Sequence, residues 1–208
     1  EGTVHSELLR RPGKLYVLAS HFHPDHFNKE VLQWREQRPD IIYIFSKDIL
    51  RHRRAQKEDA VWLKKGEEYK DETLSVRAFG STDVGVSFLL QASGKKIFHA
   101  GDLNNWHWMD ESTEAEWKGA EKNFLHELDD LYAYTPEVDV AMFPVDPRLG
   151  KEYMRGAGQF VTKIKTHIFV PMHFTPEYAK ANAFRDFAEA HGVRFVSLTH
   201  RGQKIEIE

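Results

Sequence analysis

Apolar residues gather along this chain in short runs separated by charged or turn-forming stretches, as in a domain that buries one face of each element. Residues 15–19 (Leu-Tyr-Val-Leu-Ala) and 41–45 (Ile-Ile-Tyr-Ile-Phe) predict buried strands. Residues 61–69 and 73–79 predict strands on either side of a charged turn. Residues 86–91 and 96–99, joined at Ser93-Gly94, predict a hairpin. Asn28 caps a predicted helix with Val31, Leu32 and Trp34 at helical spacing, ending before Pro39, and Ser46 caps a short one toward Arg54. Residues 114–132 and 151–165 read as helices, and 138–143 and 168–171 as strands. Thr175-Pro176 caps a helix to His191 that Gly192 ends, and 193–198 and 204–208 close the chain as strands. Strands dominate the first half as hairpins, while helices and strands alternate in the second. The expectation is one α+β domain over residues 1–208, with no internal repeat or linker.

Composition narrows the chemistry. The chain has 208 residues, 41% of them apolar, a formal net charge of −3 and no cysteine. Disulfides, thiolate metal sites and cysteine nucleophiles are excluded, so any metal must be held by nitrogen and oxygen. That donor set suits zinc, manganese or iron. The charge offers no global attraction to nucleic acid. No apolar stretch approaches membrane-spanning length and no signal peptide is visible, so a cytoplasmic protein without a membrane partner is expected. The chain opens without Met, and a removed N-terminal segment would be out of view.

Residues 21–26 read His-Phe-His-Pro-Asp-His at the end of the first apolar run. Alternate side chains of an extended segment share a face, which pairs His21 with His23. Pro24 fixes its own φ and disfavours helix at His23, so Asp25 and His26 emerge beyond a turn. One loop thus offers two imidazoles to one ion and a carboxylate plus an imidazole to a second. Two further candidates stand at strand ends. Asp102 follows residues 96–99 through Ala100-Gly101 and can bridge two cations, and His173 follows residues 168–172. Each is unremarkable alone, as a Gly-Asp turn or a helix-entry histidine. Their recurrence at the ends of apolar strands makes the case.

The order His-x-His-x-Asp-His, then Gly-Asp, then a late His resembles the metallo-β-lactamase superfamily over residues 14–173. A narrower likeness, carried by Phe-His-Ala-Gly-Asp-Leu-Asn-Asn-Trp-His-Trp (98–108) and Val-Pro-Met-His-Phe (170–174), points to uncharacterised metal-dependent hydrolases near the ascorbate 6-phosphate lactonase branch. The resemblance implies an αββα four-layer sandwich with two divalent ions, zinc foremost, at one edge between the sheets. His21 and His23 would hold the first ion, Asp25, His26 and His173 the second, and Asp102 would bridge them. The sequence departs from the family twice. Ser81 stands where a third histidine is expected, leaving Asp83 either as a substitute oxygen ligand or as a turn-capping residue. The incomplete site also fits weaker occupancy or a single held metal. Only thirteen residues precede Lys14, so the family's opening strand pair is missing or replaced.

A paired-cation site lowers the pKa of a shared water and makes hydroxide available, with Asp25 or Asp102 orienting it. The expected function is metal-dependent hydrolysis of a small anionic ester, phosphoester or lactone, an amide also being open; the alternative is a degenerate, non-catalytic metal-binding scaffold, favoured by Ser81. His107 reads as a leaving-group acid, as a holder of a substrate anion or as a surface residue, while Trp106 and Trp108 either wall off water or plug the core, the core being the favoured place. Arg148 either clamps a substrate anion or pairs with Asp146. The basic run Lys47, Arg51, Arg53, Arg54 and Lys57 repeats at helical spacing and reads as a solvated face rather than an RNA surface. His5, His52, His126, His167, His191 and His200 have no motif context and are read as structural. An oligomer is compatible with the sequence.

Overall fold

The apolar runs become the strands of two facing sheets in the computed structural model, which describes residues 6–174 and 176–206. After a short helix α1 (Ser6–Leu9), the strands β1 (Tyr16–Ala19), β2 (Ile42–Ser46) and β3 (Val61–Leu63) form a sheet of order β1-β2-β3. All its pairs are parallel, which requires a crossover after each strand rather than the hairpins expected for this half. The first crossover holds a 3₁₀ segment, Lys29–Glu36, in place of the predicted α-helix. Its cap is the expected one, the Asn28 side chain accepting the Glu30 N–H at 3.0 Å. The second holds α2 (Lys47–Arg51). Strands covered on both faces need near-continuous apolar sequence, which residues 41–45 supply.

The larger sheet takes β4 (Glu68–Lys70), β5 (Ser75–Phe79), β6 (Ser87–Ala92), β7 (Lys95–His99), β8 (Glu137–Pro144), β9 (Lys165–Met172) and β10 (Arg194–Phe195) in the order β10-β9-β8-β7-β6-β5-β4. Pairs from β4 to β7 are antiparallel, and those from β7 to β10 are parallel. The parallel half is threaded by α3 (Glu114–Tyr134), α4 (Arg155–Lys163), α5 (Tyr178–Asn182) and α6 (Arg185–Ala190). Phe98, Phe143 and Phe169 of the sheet meet Phe124, Phe160 and Phe184 of the helical layer, all fully buried. Ile44 and Leu63 of the small sheet meet Val76, Ala78 and Phe88 of the large one. Tyr43 and Phe45 pack outward on Phe27, Ile49 and the 3₁₀ segment. The layers are therefore helix, sheet, sheet, helix, the expected sandwich.

Several boundaries differ from the sequence reading. The predicted strand 61–69 divides into β3 and β4, one in each sheet, because residues 64–67 turn through Gly66 at φ +88°. The helix predicted over 151–165 is a 3₁₀ segment, Pro147–Glu152, followed by α4. The helix toward His191 is two short ones, and Thr175, its expected cap, lies outside the described residues, as does His5. Residues 204–206 form no strand, and 207–208 lie outside the described residues. Among the described residues no strand precedes β1, which is the edge of its sheet.

Because β7, β8 and β9 run parallel, their C-terminal ends share one edge of the large sheet, delivering Asp102, Asp146 and His173 together. The loop after β1 meets them there.

Candidate metal centre

The loop after β1 is held by backbone and side-chain bonds before any ion is considered. The His26 and Phe27 N–H groups both donate to the His23 carbonyl, at 3.0 and 2.8 Å, closing the turn that Pro24 begins. The Phe22 N–H donates to Asp48 in the first turn of α2 at 3.0 Å. The Val86 N–H donates to the Ser20 carbonyl at 3.0 Å, tying this loop to the start of β6. Thr82 links the loop before β6 to the loop after β7, accepting the Asn104 N–H at 2.9 Å and donating to its carbonyl at 2.5 Å.

Two groups of metal-capable side chains result. His21, His23, Asp83 and Asp102 bring one donor atom each within 4.8 Å of one another, and so do Asp25, His26 and His173. Asp102 divides its carboxylate between them. Its Oδ2 lies 3.4 Å from His21 Nε2, while Oδ1 lies 3.1 Å from His26 Nε2 and 3.5 Å from His173 Nε2. Asp83 Oδ2 lies 3.5 Å from His23 Nδ1. Ser81 stays outside both groups and accepts the Asp83 N–H at 3.4 Å, so Asp83 is at once the member of the first group and the end of a small turn.

The electrostatics suit cations. His21 is fully buried, yet its Nε2 has no hydrogen-bond partner, and neither does Asp102 Oδ1. Unpaired buried polar atoms are costly unless a bound group satisfies them. Burial, reinforced by the nearby His26, lowers the His21 pKa to about 4, and burial lowers that of His26 as well. Both rings are thereby kept neutral, the form that ligates. Burial would raise the Asp102 carboxyl, but the adjacent His173 and the charge of His26 hold it below its ordinary value. His173 is the exception. Burial opposes its protonation, but Asp102 and Asp146 outweigh that and push its pKa up to about 9. The site attracts positive charge, and without a cation it draws a proton. Nitrogen and carboxylate donors gathered in this way fit divalent cations.

Residues 6–174 match the family model described as Beta-lactamase superfamily domain. The chain belongs to the β-lactamase superfamily. Solved structures similar to this member include Igni18, a metallo hydrolase from the hyperthermophilic archaeon Ignicoccus hospitalis, with a TM-score of 0.61, 18% identity, and coverage of 88% of this chain and 76% of that one. The metallo-β-lactamase fold protein YhfI from Bacillus subtilis follows at 0.58 and 11%, with coverage of 88% and 75%. Zn(2+)-bound PqqB from Methylobacterium extorquens gives 0.51 and 15%, with coverage of 88% and 70%. At these identities the likeness is one of fold. No match is found among curated proteins.

Within this β-lactamase superfamily domain some expected roles change. His107 is corrected: its ring is buried, Nε2 donates to the Glu152 carbonyl at 3.1 Å and Nδ1 accepts the Met109 N–H at 3.1 Å. With both nitrogens spent on backbone it braces the loop and does not face the metal-capable cluster. Trp106 and Trp108 are not core plugs; they stack at 6.4 Å and line a cavity of about 360 Å³ with His23, Asp83, Asp102 and His173. Arg148 does pair with Asp146, through Nε at 3.0 Å to each oxygen and Nη2 at 2.6 Å, yet it also lines that cavity and a neighbouring one of about 780 Å³. Lys47 and Arg51 lie on α2, with Arg53, Arg54 and Lys57 beyond it, and none lines either cavity.

Ser20 and His99 escaped the sequence reading, and Asp146 entered it only as a partner for Arg148. Ser20 Oγ sits 3.1 Å from His21 Nδ1 and 3.5 Å from His26 Nδ1. Asp146 Oδ2 takes the His173 Nδ1 contact at 2.9 Å, leaving Nε2 toward Asp102. Such outer partners fix ring orientation and tautomer. His99 lines the larger cavity. A strand end beside the Gly-Asp motif was the available signal for His99; nothing local marks Ser20 or Asp146. Helical segments of membrane-spanning length and apolarity are absent among the described residues.

Proposed function

We propose that this chain is a metal-dependent hydrolase acting on a small anionic ester, phosphoester or lactone. The first ion would be held by His21, His23, Asp83 and Asp102, the second by Asp25, His26 and His173, with Asp102 shared. The division of the Asp102 oxygens between the two groups is the observation that carries this reading. Zinc is the favoured metal on the donor set, with manganese or iron as alternatives. Divalent cations, when bound, supply Lewis acidity and bring the pKa of water toward neutrality.

The chain's own residues supply the rest. Asp25 is exposed at the mouth of both cavities, where its carboxylate can orient water or take a proton. Arg148, steered by Asp146 and largely open to solvent, presents its remaining guanidinium edge to an anionic group. Trp106 and Trp108 wall the smaller cavity against water. The two loop phrases that resemble the ascorbate 6-phosphate lactonase branch favour a sugar phosphate or lactone, and the cysteine-free composition fits a cytoplasmic setting.

Metal analysis with bis(4-nitrophenyl) phosphate turnover tests the proposal. Two ions per chain and turnover that Asp102→Asn lowers by about 10²-fold or more, with the fold intact, is the expected result. Full activity in the folded, fully loaded Asn variant contradicts the shared role. The alternative scaffold is favoured by Ser81 and by the openness of His23 and Asp83, whose side chains are 35% and 42% exposed; one ion or none, without turnover, selects it.

A further inference from the structure

His99 ends β7, with Phe98 turned into the helical core and His99 on the opposite face. Its Nδ1 accepts the Gly101 N–H at 3.1 Å. An acceptor nitrogen carries no proton, so the neutral ring must bear its hydrogen on Nε2. That Nε2–H has no hydrogen-bond partner among the described residues. The ring is half-buried and lines the 780 Å³ cavity beside Asp25, His26, Gly101, Arg148 and His173. Burial, helped by the neighbouring His26, lowers its pKa to about 4, so it stays neutral at working pH. A neutral donor of preset tautomer, unspent on protein and facing the cavity next to the second group, has one evident use: an oxygen brought in by a ligand.

We propose that His99 is a substrate-binding residue whose Nε2–H donates to a non-bridging oxygen of a phosphoryl or acyl group held against the second group of ligands. The assignment rests on the hydrolase reading above. Since Gly101 fixes the ring from the loop that carries Asp102, the donor is in place before the substrate arrives. Preorganised donors of this kind gain strength as charge grows on the oxygen they face. His99 therefore acts more on turnover than on ground-state binding.

Two variants test this in zinc-loaded protein. His99→Phe keeps the ring and removes the donor, whereas His99→Gln offers an amide N–H at similar reach. The Phe variant should retain parental zinc content, bind inorganic phosphate about tenfold more weakly by calorimetry, and lose about 10²-fold in kcat on bis(4-nitrophenyl) phosphate with little change in KM. The Gln variant should recover much of each loss. Nitrogen-15 spectra of the parent should place the proton on Nε2 and show that resonance shifting with phosphate. Unchanged phosphate affinity in a fully loaded Phe variant overturns the role of His99 alone. A proton on Nδ1 does the same, and needs no variant to fold. A parent protein that takes up no zinc overturns the hydrolase reading and this assignment with it.

Discussion

Gly85 presses against the Ser20-His21 backbone, and Gly101 against the Ser20 side chain and the Val86 carbonyl. Both have positive φ, +74° and +56°, and a Cβ on Gly85 would fall 2.1 Å from the Ser20 carbonyl oxygen. On Gly101 it would meet Ser20 Cβ at 2.9 Å and the Val86 carbonyl at 3.0 Å. Gly101→Ala should therefore destabilise the fold by more than about 1 kcal/mol and weaken zinc uptake, read by thermal melting and metal titration. An unaltered melting temperature and affinity would show that the loop has slack. At this scale the sequence was most legible where candidate ligands are contiguous: His21, His23, Asp25 and His26 share one loop, and strand-end position singled out Asp102 and His173, which the structure brings beside them. It was least legible where a role exists only through approach across the fold. Asp146 matters because β8 and β9 are adjacent, and Ser20 because two rings turn toward it. His107 misled for the converse reason, since chain proximity to Asp102 does not decide which way a ring points.

Secondary-structure elements were legible wherever the apolar period was long. The α3 helix was read from its apolar spacing alone, and the structure adds a full capping box, Thr113 with Glu116, in which the Thr113 N–H donates to Glu116 Oε2 at 2.8 Å. Thr113→Ala should cost about 1 kcal/mol in chemical denaturation while leaving metal content untouched. A matching loss of metal would mean that α3 carries more of the site than its contacts suggest. Short segments were harder. A run of eight residues with apolar positions three apart suits a 3₁₀ segment as well as an α-helix, and Lys29–Glu36 took the tighter form. Residues 61–69 looked continuous because nothing local says that a chain leaves one sheet and enters another. Parallel pairing of β1, β2 and β3 was equally invisible, since it depends on partners far apart in sequence.

For the molecule as a whole, the buried histidines make stability depend on pH in opposite directions. His173 has its folded pKa raised to about 9, so in metal-free protein its contribution is complete below the unfolded value of about 6.5 and is lost as pH rises through 9. His21 and His99 are lowered to about 4, so theirs is present above about 6.5 and lost as pH falls through 4. The melting temperature of metal-free protein should peak near neutrality, each group contributing at most about 3 kcal/mol. With zinc bound the alkaline decline should flatten, because the ion takes the place of the His173 proton. A metal-free protein whose melting temperature does not change between pH 6 and 9, about the span of that shift, would contradict the assignment for His173.

The four-layer build, and a site at one edge between the sheets, were readable from strand and helix content together with the family likeness, whereas which donor hangs from which sheet was not. His21 and His23 hang from the small sheet, while Asp102 and His173 hang from the large one. An ion shared across that seam would work as a rivet between the halves of the sandwich. Chelation should then speed amide hydrogen exchange along β1 and β2 selectively, while α3, packed on the far face of the large sheet, keeps its protection.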